Sequence, residues 1–432
     1  CGLRRLPQGC SDALFGARST AATLKQFSLG SGPQRGREMG GPGSFLIGNK
    51  EKEEVLEVLE SGYLFRYGSE DDSRFKHKVV QFEDELCSYL GTNHCVATSS
   101  GTGALMAILY ALGIGPGDEV IVPAYTFIAS ISSVILMGAT PVLAEIDESL
   151  TLDPEDVRRR ISSRTRAIMA VHMLGNPCDM KALKDLAGEH GLYIIEDACQ
   201  ALGASYGGKK CGTLGEMGAF SLNFFKTITA GDGGAVVTDS GELYERAFGF
   251  HDQGHKPKRM GVEVGHRNIV GMNMRMNELT GAVALAQCRK IESILAQLRK
   301  SKALLKSHLE GVPGVAFRRI NDLEECATVL TLLFDSKERA DQVAESIGSS
   351  TVVHSGWHVY SNMEQILHHL RIQPGAFPQT DRILERSLNI SVGVVDVGLG
   401  TAFGINVQSE EPEIEEVGRK LRDVLSGKPV RN

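Results

Sequence analysis

Apolar positions along the chain follow two different spacings, which alternate from residue 94 onwards. Short apolar runs predict strands at 94–99, 120–123, 141–147, 166–174, 193–197, 219–223 and 234–238. Helical spacing predicts helices at 50–61, 74–91, 103–113, 129–138, 153–161 and 179–191, and one long helix over 278–309. This alternation is typical of an α/β protein whose mixed, mostly parallel sheet lies between helices. The last two strands are close enough in sequence for one of them to run antiparallel.

The order of these segments divides the chain into three parts. We expect an N-terminal extension at 1–44, a large α/β domain at 45–290 and a small C-terminal α+β domain at 291–432. Residues 1–38 hold six Lys or Arg but only two acidic residues, without lasting periodicity. Organelle transit peptides, disordered tails and translated leader sequences all share that composition, and Met39 is an alternative start.

Composition narrows the classes of partner and compartment. The 432 residues carry a net charge of −7 at pH 7, which argues against a nucleic-acid or anionic-membrane partner. No run approaches the roughly 18 apolar residues that a membrane span requires. The nine cysteines are scattered, and none forms a CxxC pair. This pattern favours reduced thiols in a cytoplasmic protein over disulfides or a zinc site, unless residues 1–38 direct the chain to an organelle.

Four sequence features fall at the ends of predicted strands, where ligands bind in open α/β sheets. SSGTGAL (99–105) opens a helix with small residues, so its backbone N–H groups are accessible to an anion such as phosphate. Phe127 follows the next strand. Asp197 ends the apolar strand 193–197, where an unpaired charge would be costly. Lys226 is followed by a run of small residues, and desolvation there would lower its pKa and make its amine a nucleophile.

Each feature alone has a plainer explanation. The small residues could form an ordinary helix start, Phe127 could belong to the core, Asp197 could cap a helix, and Lys226 could be a surface lysine at a turn. In this order along the chain, however, they describe a site for pyridoxal phosphate. An aspartate that keeps the ring nitrogen protonated makes the ring an electron sink, and a lysine carries the Schiff base.

The chain resembles the DegT/DnrJ/EryC1/StrS family of sugar aminotransferases along roughly residues 45–310. That family has the fold-type I of pyridoxal phosphate-dependent transferases, so the resemblance implies this fold and makes 45–290 the cofactor-binding domain. The segments that carry it are LESGYLFRYGSEDD, SSGTGAL, GPGDEVIVPAYTFIAS, VHMLGNPCDM, EDACQALGASYGGKKCGTLGEMGAFS, KTITAGDGGAVVT and GMNMRMNELTGAVALAQ.

The resemblance implies a role for individual residues. Lys226 would be the Schiff-base lysine and proton shuttle, and Asp197 would pair with the pyridine nitrogen. Phe127 would stack on the ring, and Gln200 would lie near its phenolic oxygen. The phosphate would be held by Gly101, Thr102 and Ser221, and by Asn273 from the other subunit of a homodimer with shared active sites.

The same resemblance implies transfer of an amino group from an amino acid, glutamate or glutamine, to a keto sugar. GYLFRYG, KTITAGDGG and HDQGH are most similar to members that aminate an eight-carbon keto-sugar acid, an 8-oxo-octulosonate. Arg66 would then bind the substrate carboxylate and His255 its hydroxyls, although Arg66 could equally be in a surface ion pair and His255 in an unrelated loop. The alternatives are a sugar dehydratase or lyase of the same fold, against which Lys226 argues, and a non-catalytic regulator.

Overall fold

The computed structural model describes residues 39–69, 71–257 and 268–427. The Arg-rich segment 1–38, for which a transit peptide was considered, lies outside them. The described residues all belong to one compact unit. Within the described ranges, no helix is both long and apolar enough to cross a lipid bilayer.

The large sheet has seven strands in the order β1-β9-β8-β5-β4-β2-β3. The strands of the chain are β1 (His94–Thr98), β2 (Glu119–Pro123), β3 (Thr140–Ala144), β4 (Thr165–Val171), β5 (Tyr193–Asp197), β6 (Ser205–Tyr206), β7 (Lys209–Lys210), β8 (Met217–Ser221), β9 (Gly234–Thr238), β10 (Val315–Phe317), β11 (Val329–Phe334) and β12 (Ser387–Ser391). Within the large sheet β9 is antiparallel to both of its neighbours, and the other pairs are parallel. The predicted mixed sheet and its antiparallel strand are confirmed.

Helices cover the large sheet and connect it to the C-terminal part. They are α1 (Asn49–Ser61), α2 (Lys78–Leu90), α3 (Gly101–Ala111), α4 (Ile128–Leu136), α5 (Pro154–Arg160), α6 (Met180–His190), α7 (Gly241–His251), α8 (Glu278–Cys288), α9 (Ile291–Ser307), α10 (Lys337–Ser346), α11 (Glu364–Leu370), α12 (Pro378–Leu384) and α13 (Glu411–Leu425). The single long helix predicted over 278–309 is wrong. The chain breaks at Arg289 and Lys290, and α9 then packs against α13 and the C-terminal sheet.

Local sequence explains where several of these helices begin and end. Asp153 accepts a hydrogen bond from the Glu155 N–H at the start of α5, and Pro154 occupies the first turn, where its missing N–H costs nothing. Asp179 caps α6 in the same way, and Gly191 ends α6 with a φ of 64°. These caps fix the start of α5 and both ends of α6, and so the point at which β5 begins.

The C-terminal part contains a three-stranded antiparallel sheet, β10-β11-β12, which matches the predicted α+β composition. Its segment 358–360 bonds to the loop after β2: Thr126 N–H donates to the His358 carbonyl, and Tyr360 N–H donates to the Ala124 carbonyl. These bonds bring C-terminal residues to the carboxyl end of the large sheet.

Residues 39–44 belong to the folded part, not to the extension with which they were grouped. Gly40 forms a two-bond bridge with Val395, and Gly41 N–H donates to the Phe224 carbonyl. A Cβ on Gly41 would come within 2.2 Å of the Phe225 backbone, so only glycine fits there. This short segment therefore supports the loop that carries Lys226.

Candidate active site

A cavity of about 520 Å³ lies at the carboxyl ends of the parallel strands. Its wall combines residues that follow β1, β2, β5 and β8 with residues of the C-terminal part. Of the residues singled out by sequence, seven line it: Gly101, Thr102, Phe127, Asp197, Gln200, Ser221 and Lys226. Arg66, His255 and Asn273 do not.

Asp197 is the last residue of β5 and is 5% exposed. Its Oδ2 accepts a hydrogen bond of 2.6 Å from Ser130 Oγ, and its Oδ1 accepts one of 3.2 Å from the Cys199 N–H. Ser130 is itself 2.7 Å from Thr126 Oγ1. Two directed donors hold the carboxylate in one orientation, facing the cavity.

Lys226 lies in the loop between β8 and β9, with its Nζ 5.9 Å from the centroid of the Phe127 ring. Burial lowers the pKa of Lys226, although the nearby Cys199, Asp197 and Asp396 act in the opposite direction. A lowered pKa raises the fraction of neutral amine, which is the form that attacks a carbonyl. The structure therefore gives Lys226 the desolvated setting that its sequence context suggested.

The loop around Lys226 folds back on itself. Lys226 N–H donates to the Asn223 carbonyl, and the Leu222 carbonyl accepts from both the Ala230 N–H and Thr229 Oγ1. Gly231 and Gly233 have φ angles of 82° and 153°, which residues with a side chain rarely adopt. The small residues after Lys226 thus permit the tight return into β9.

The N-terminus of α3 forms the opposite end of the cavity. Ser100 caps the helix by accepting from the Gly103 N–H at 3.0 Å. A Cβ on Gly101 would lie 2.9 Å from both Cys199 Sγ and Ser221 Cβ, so the residue must be glycine for Ser221 to lie beside the helix end. Helix N–H groups, the positive end of the helix dipole and a hydroxyl together favour an anion such as a phosphate.

Gln200 is fixed by the segment after β4, where Leu174 N–H donates to its Oε1 at 2.9 Å. Leu174 has a φ of 53°, and the Thr328 hydroxyl of the C-terminal part donates to its carbonyl. The orientation of Gln200 therefore depends on both parts of the chain.

Sequence reasoning missed several residues of this cavity. Ser130 stands three residues after Phe127, one helical turn away, and that spacing was a usable signal. His358, Trp357 and Asp396 come from the C-terminal part, and no local pattern marked them. The ring of His358 lies 5.3 Å from that of Phe127, centroid to centroid. Burial and the charge of Lys226 lower the pKa of His358 to about 3, so its imidazole is neutral near pH 7.

Arg66 was expected at the substrate carboxylate, but the structure places it in a buried ion pair. The side chain is 3% exposed, its Nη2 donates to Glu83 Oε1 at 2.6 Å and its Nη1 donates to the Ala97 carbonyl at 2.9 Å. Glu83 Oε1 also accepts from the Ala97 N–H. Arg66 and Glu83 therefore fix α2 against β1, and the Arg66 guanidinium does not line the cavity.

The two other residues outside the cavity have different surroundings. His255 lines a separate depression near α7. Asn273 is exposed and pairs with Asp252 in an antiparallel bridge. The contact that we expect between Asn273 and a phosphate crosses a dimer interface, so it involves the phosphate site of the other subunit.

The cavity residues fit pyridoxal phosphate. Asp197 lies at the end of an apolar strand with one face open to the cavity, as an ion pair with a protonated ring nitrogen requires. Phe127 provides an aromatic face, and the Gly101–Ser221 end provides donors for a phosphate. Lys226 lies between these groups and is the only Lys or Arg that lines the described cavity.

Comparison with known proteins supports the same assignment. GDP-perosamine synthase of Vibrio cholerae is 37% identical over 296 residues, which are 68% of this chain and 76% of that protein. The crystal structure of Streptomyces venezuelae DesV in complex with a ketimine intermediate has a TM-score of 0.73 and 32% identity, covering 87% of this chain and 94% of that one. The structure of 3-amino-5-hydroxybenzoic acid synthase has a TM-score of 0.75 and 27% identity, covering 90% and 99%.

The family model of the DegT/DnrJ/EryC1/StrS aminotransferases matches residues 46–395, which include every residue that lines the cavity except Asp396, Gly398 and Leu399. The chain belongs to the DegT/DnrJ/EryC1/StrS aminotransferase family and is a pyridoxal phosphate-dependent enzyme of fold-type I.

Proposed function

We propose that this enzyme transfers an amino group from an amino acid, glutamate being the expected donor, to the keto group of a nucleotide-linked sugar. The observation that carries the proposal is the placement of Lys226 and Asp197 in one cavity, at the ends of the adjacent strands β8 and β5. The names of related proteins support the substrate class, since they include GDP-perosamine synthase and dTDP-3-amino-3,4,6-trideoxy-α-D-glucose transaminase.

In this reaction we expect Asp197 and Lys226 to have different roles. Bound pyridoxal phosphate supplies an electron sink for the carbanion that amino transfer requires. Asp197, held by Ser130 and Cys199, would keep the ring nitrogen protonated. Lys226 Nζ would take a proton from the donor carbon and return it at the acceptor carbon, a task for which a lowered amine pKa is suited.

The charges around the cavity bear on the choice of sugar. Lys226 is the only Lys or Arg in the described lining, whereas Asp197, Asp232 and Asp396 are all acidic. A keto-sugar acid such as the octulosonate would bring its own carboxylate into this setting, and Arg66 is already paired with Glu83. A nucleotide-linked sugar carries its negative charges on the diphosphate, away from the keto group, so the ring that must reach Lys226 brings no carboxylate. The hydroxyls of that ring can bond to Asp396 and to the neutral His358.

Assays with a panel of acceptors test the substrate class. The purified holoenzyme, supplied with glutamate, is offered a GDP- or dTDP-linked keto sugar and an 8-oxo-octulosonate, and the amino sugar formed is identified by mass spectrometry. We expect kcat/KM for a nucleotide-linked sugar to exceed that for the octulosonate at least tenfold. A preference for the octulosonate would overturn this proposal and restore the eight-carbon keto-sugar acid as substrate. Loss of water instead of gain of an amino group would indicate a dehydratase.

We further propose that the active unit is a homodimer whose sites are shared through Asn273. The support is an apolar surface near that residue. Leu64 and Phe65 are each exposed by 45% or more, and Met272 is 50% exposed. Arg275, two residues after Asn273, lies 5.6 Å from the Phe65 ring. Exposed apolar side chains around a polar residue are typical of a subunit interface.

A complementation experiment tests the shared site. Lys226→Ala and Asn273→Ala subunits are each expected to be nearly inactive. After mixing, each heterodimer contains one site with both an intact Lys226 and an intact Asn273, so activity should return. Subunit exchange is verified with differently tagged chains. Exchange without recovered activity would contradict a site shared through Asn273.

A further inference from the structure

A second cavity, of about 210 Å³, lies between α9 and the segment that includes β10 and the start of β11. None of its lining residues lines the cavity that contains Lys226. Among the described residues, its wall holds four basic side chains, Arg299, Lys302, Lys306 and Arg318, but a single carboxylate, that of Glu325. This imbalance is the opposite of the acidic lining of the active site.

Arg318 is the most deeply buried of these groups, at 3% exposed. Its Nη1 donates to the Met173 carbonyl at 3.2 Å, and its Nη2 contacts the Leu174 carbonyl at 3.3 Å and Glu325 Oε2 at 3.4 Å. Its Nε–H has no acceptor among the described residues. A buried donor without an acceptor is costly, and it provides a binding site for an acceptor from outside.

Lys302 is the second buried cation, and its Nζ bonds to Glu325 Oε1. The single carboxylate of Glu325 is therefore paired with two buried cations, Lys302 and Arg318. Burial lowers the pKa of Lys302 to about 8, and the charges of Arg318 and Lys306 add to this effect against the opposing influence of Glu325. The cavity is therefore short of negative charge, a shortage that a second carboxylate would correct.

The remaining wall is largely apolar, which limits the kind of anion that fits. Phe317, Ile320 and Leu330 contribute side chains, and Lys306 Nζ lies 5.0 Å from the centroid of the Phe317 ring at the rim. Ala303 on α9 is exposed and borders the opening. We propose that this cavity binds a small organic carboxylate, with its charged end toward Arg318 and Lys302 and its apolar body against Phe317 and Leu330.

Calorimetric titration of the holoenzyme with benzoate tests this site, with benzamide as an uncharged probe of the same shape and inorganic phosphate as a charge without an apolar body. We expect measurable binding of benzoate and at least tenfold weaker binding of the other two. Equal binding of benzamide, equally tight binding of phosphate, or no binding of benzoate would overturn the proposal.

Three variants test whether benzoate binds in this cavity. Lys306→Gln removes a charge at the rim that attracts the carboxylate without bonding to it, and should weaken benzoate by about twofold to fivefold, the loss expected for a partly exposed charge pair. Ala303→Phe fills the opening and should abolish binding. Lys300→Gln is the matched control, because Lys300 is on the same helix but pairs with Glu411 outside the cavity. All three should keep wild-type kcat and thermal stability. An unchanged benzoate Kd in both Lys306→Gln and Ala303→Phe would place the probe elsewhere and refute the site.

Discussion

Ser130 Oγ donates a hydrogen bond of 2.6 Å to Asp197 Oδ2. The two residues are 67 positions apart, and the bond joins the first turns of α4 to the end of β5. Ser130 is buried and its hydroxyl also bonds to Thr126, so the orientation of this hydroxyl is fixed. The carboxylate that is expected to control the cofactor is therefore positioned by the helix that follows Phe127.

Replacing the carboxylate tests its electrostatic role. Asp197→Asn keeps the shape and the hydrogen-bonding capacity of the side chain but removes the charge that stabilises a protonated ring nitrogen. We expect the variant to retain cofactor, measured by absorbance after gel filtration, and to lose most of its kcat. A kcat within about tenfold of wild type, equivalent to about 1.4 kcal/mol, would contradict the role assigned to Asp197.

Removing the donor tests the positioning of that carboxylate. Ser130→Ala should lower kcat by roughly tenfold to a hundredfold, the equivalent of a hydrogen bond to a charged group. KM for the amino donor should change far less, because the hydroxyl does not touch substrate. Ser133→Ala is the matched control: Ser133 is equally buried on α4, but its hydroxyl bonds to the Ser130 carbonyl and not to Asp197. Equal losses in the two variants would indicate general damage to α4.

The elements of the fold that the sequence predicted are those whose signal is local. The spacing of apolar residues located the strands of the large sheet, and Asp153 with Pro154 marked the start of α5. The cofactor-binding candidates from Gly101 to Lys226 all lie at strand ends and do converge on one cavity. The expectations that the structure did not match concern residues whose contacts are distant in sequence. Arg66 is held by Glu83 and by the Ala97 carbonyl, neither of which its own loop could indicate.

The cavity residues that come from the C-terminal part could not be predicted from local sequence either. His358 and Asp396 reach the cavity only because 358–360 pairs with 124–126 and because Val395 bridges Gly40. Short 3₁₀ turns at 352–362 carry no periodic apolar pattern, so neither residue stood out in the sequence. The predicted long helix breaks at Arg289 and Lys290 although neither is a proline or a glycine, and the part after the break packs against α13 and β11, which are distant in sequence.

His358 should make the folded state sensitive to acid. Its pKa is about 3 in the folded protein, against about 6.5 when unfolded, so between these values the unfolded chain binds the extra proton. The histidine therefore costs no stability at neutral pH, but destabilises the fold as pH falls below about 6.5, by about 2–3 kcal/mol at about pH 4.5. His358→Gln should lose less stability than wild type between pH 7 and 4.5 in urea unfolding. His354→Gln, at an exposed histidine nearby, should follow wild type; a His358→Gln curve parallel to wild type would be inconsistent with the buried neutral imidazole.

Glu325 should contribute far more to the free energy of unfolding than its sequence neighbour Glu324. Glu325→Gln leaves the buried cations Lys302 and Arg318 without their carboxylate, and we expect a loss of about 3–5 kcal/mol in the free energy of unfolding. Glu324→Gln removes the exposed pair with Arg299 and should cost at most about 1 kcal/mol. Urea unfolding of the two variants makes the comparison, and similar losses in both would show that the charge of Glu325 is not needed.

Reduction of the holoenzyme with borohydride, followed by peptide mapping, tests the central claim most directly. If Lys226 holds the cofactor, reduction makes that attachment permanent, and one phosphopyridoxyl adduct should be found on the peptide that contains Lys226. Lys226→Ala, treated identically, should show no adduct at that peptide. An adduct on Lys209 or Lys210 of β7 instead, or no adduct in wild-type enzyme that contains pyridoxal phosphate, would contradict the account.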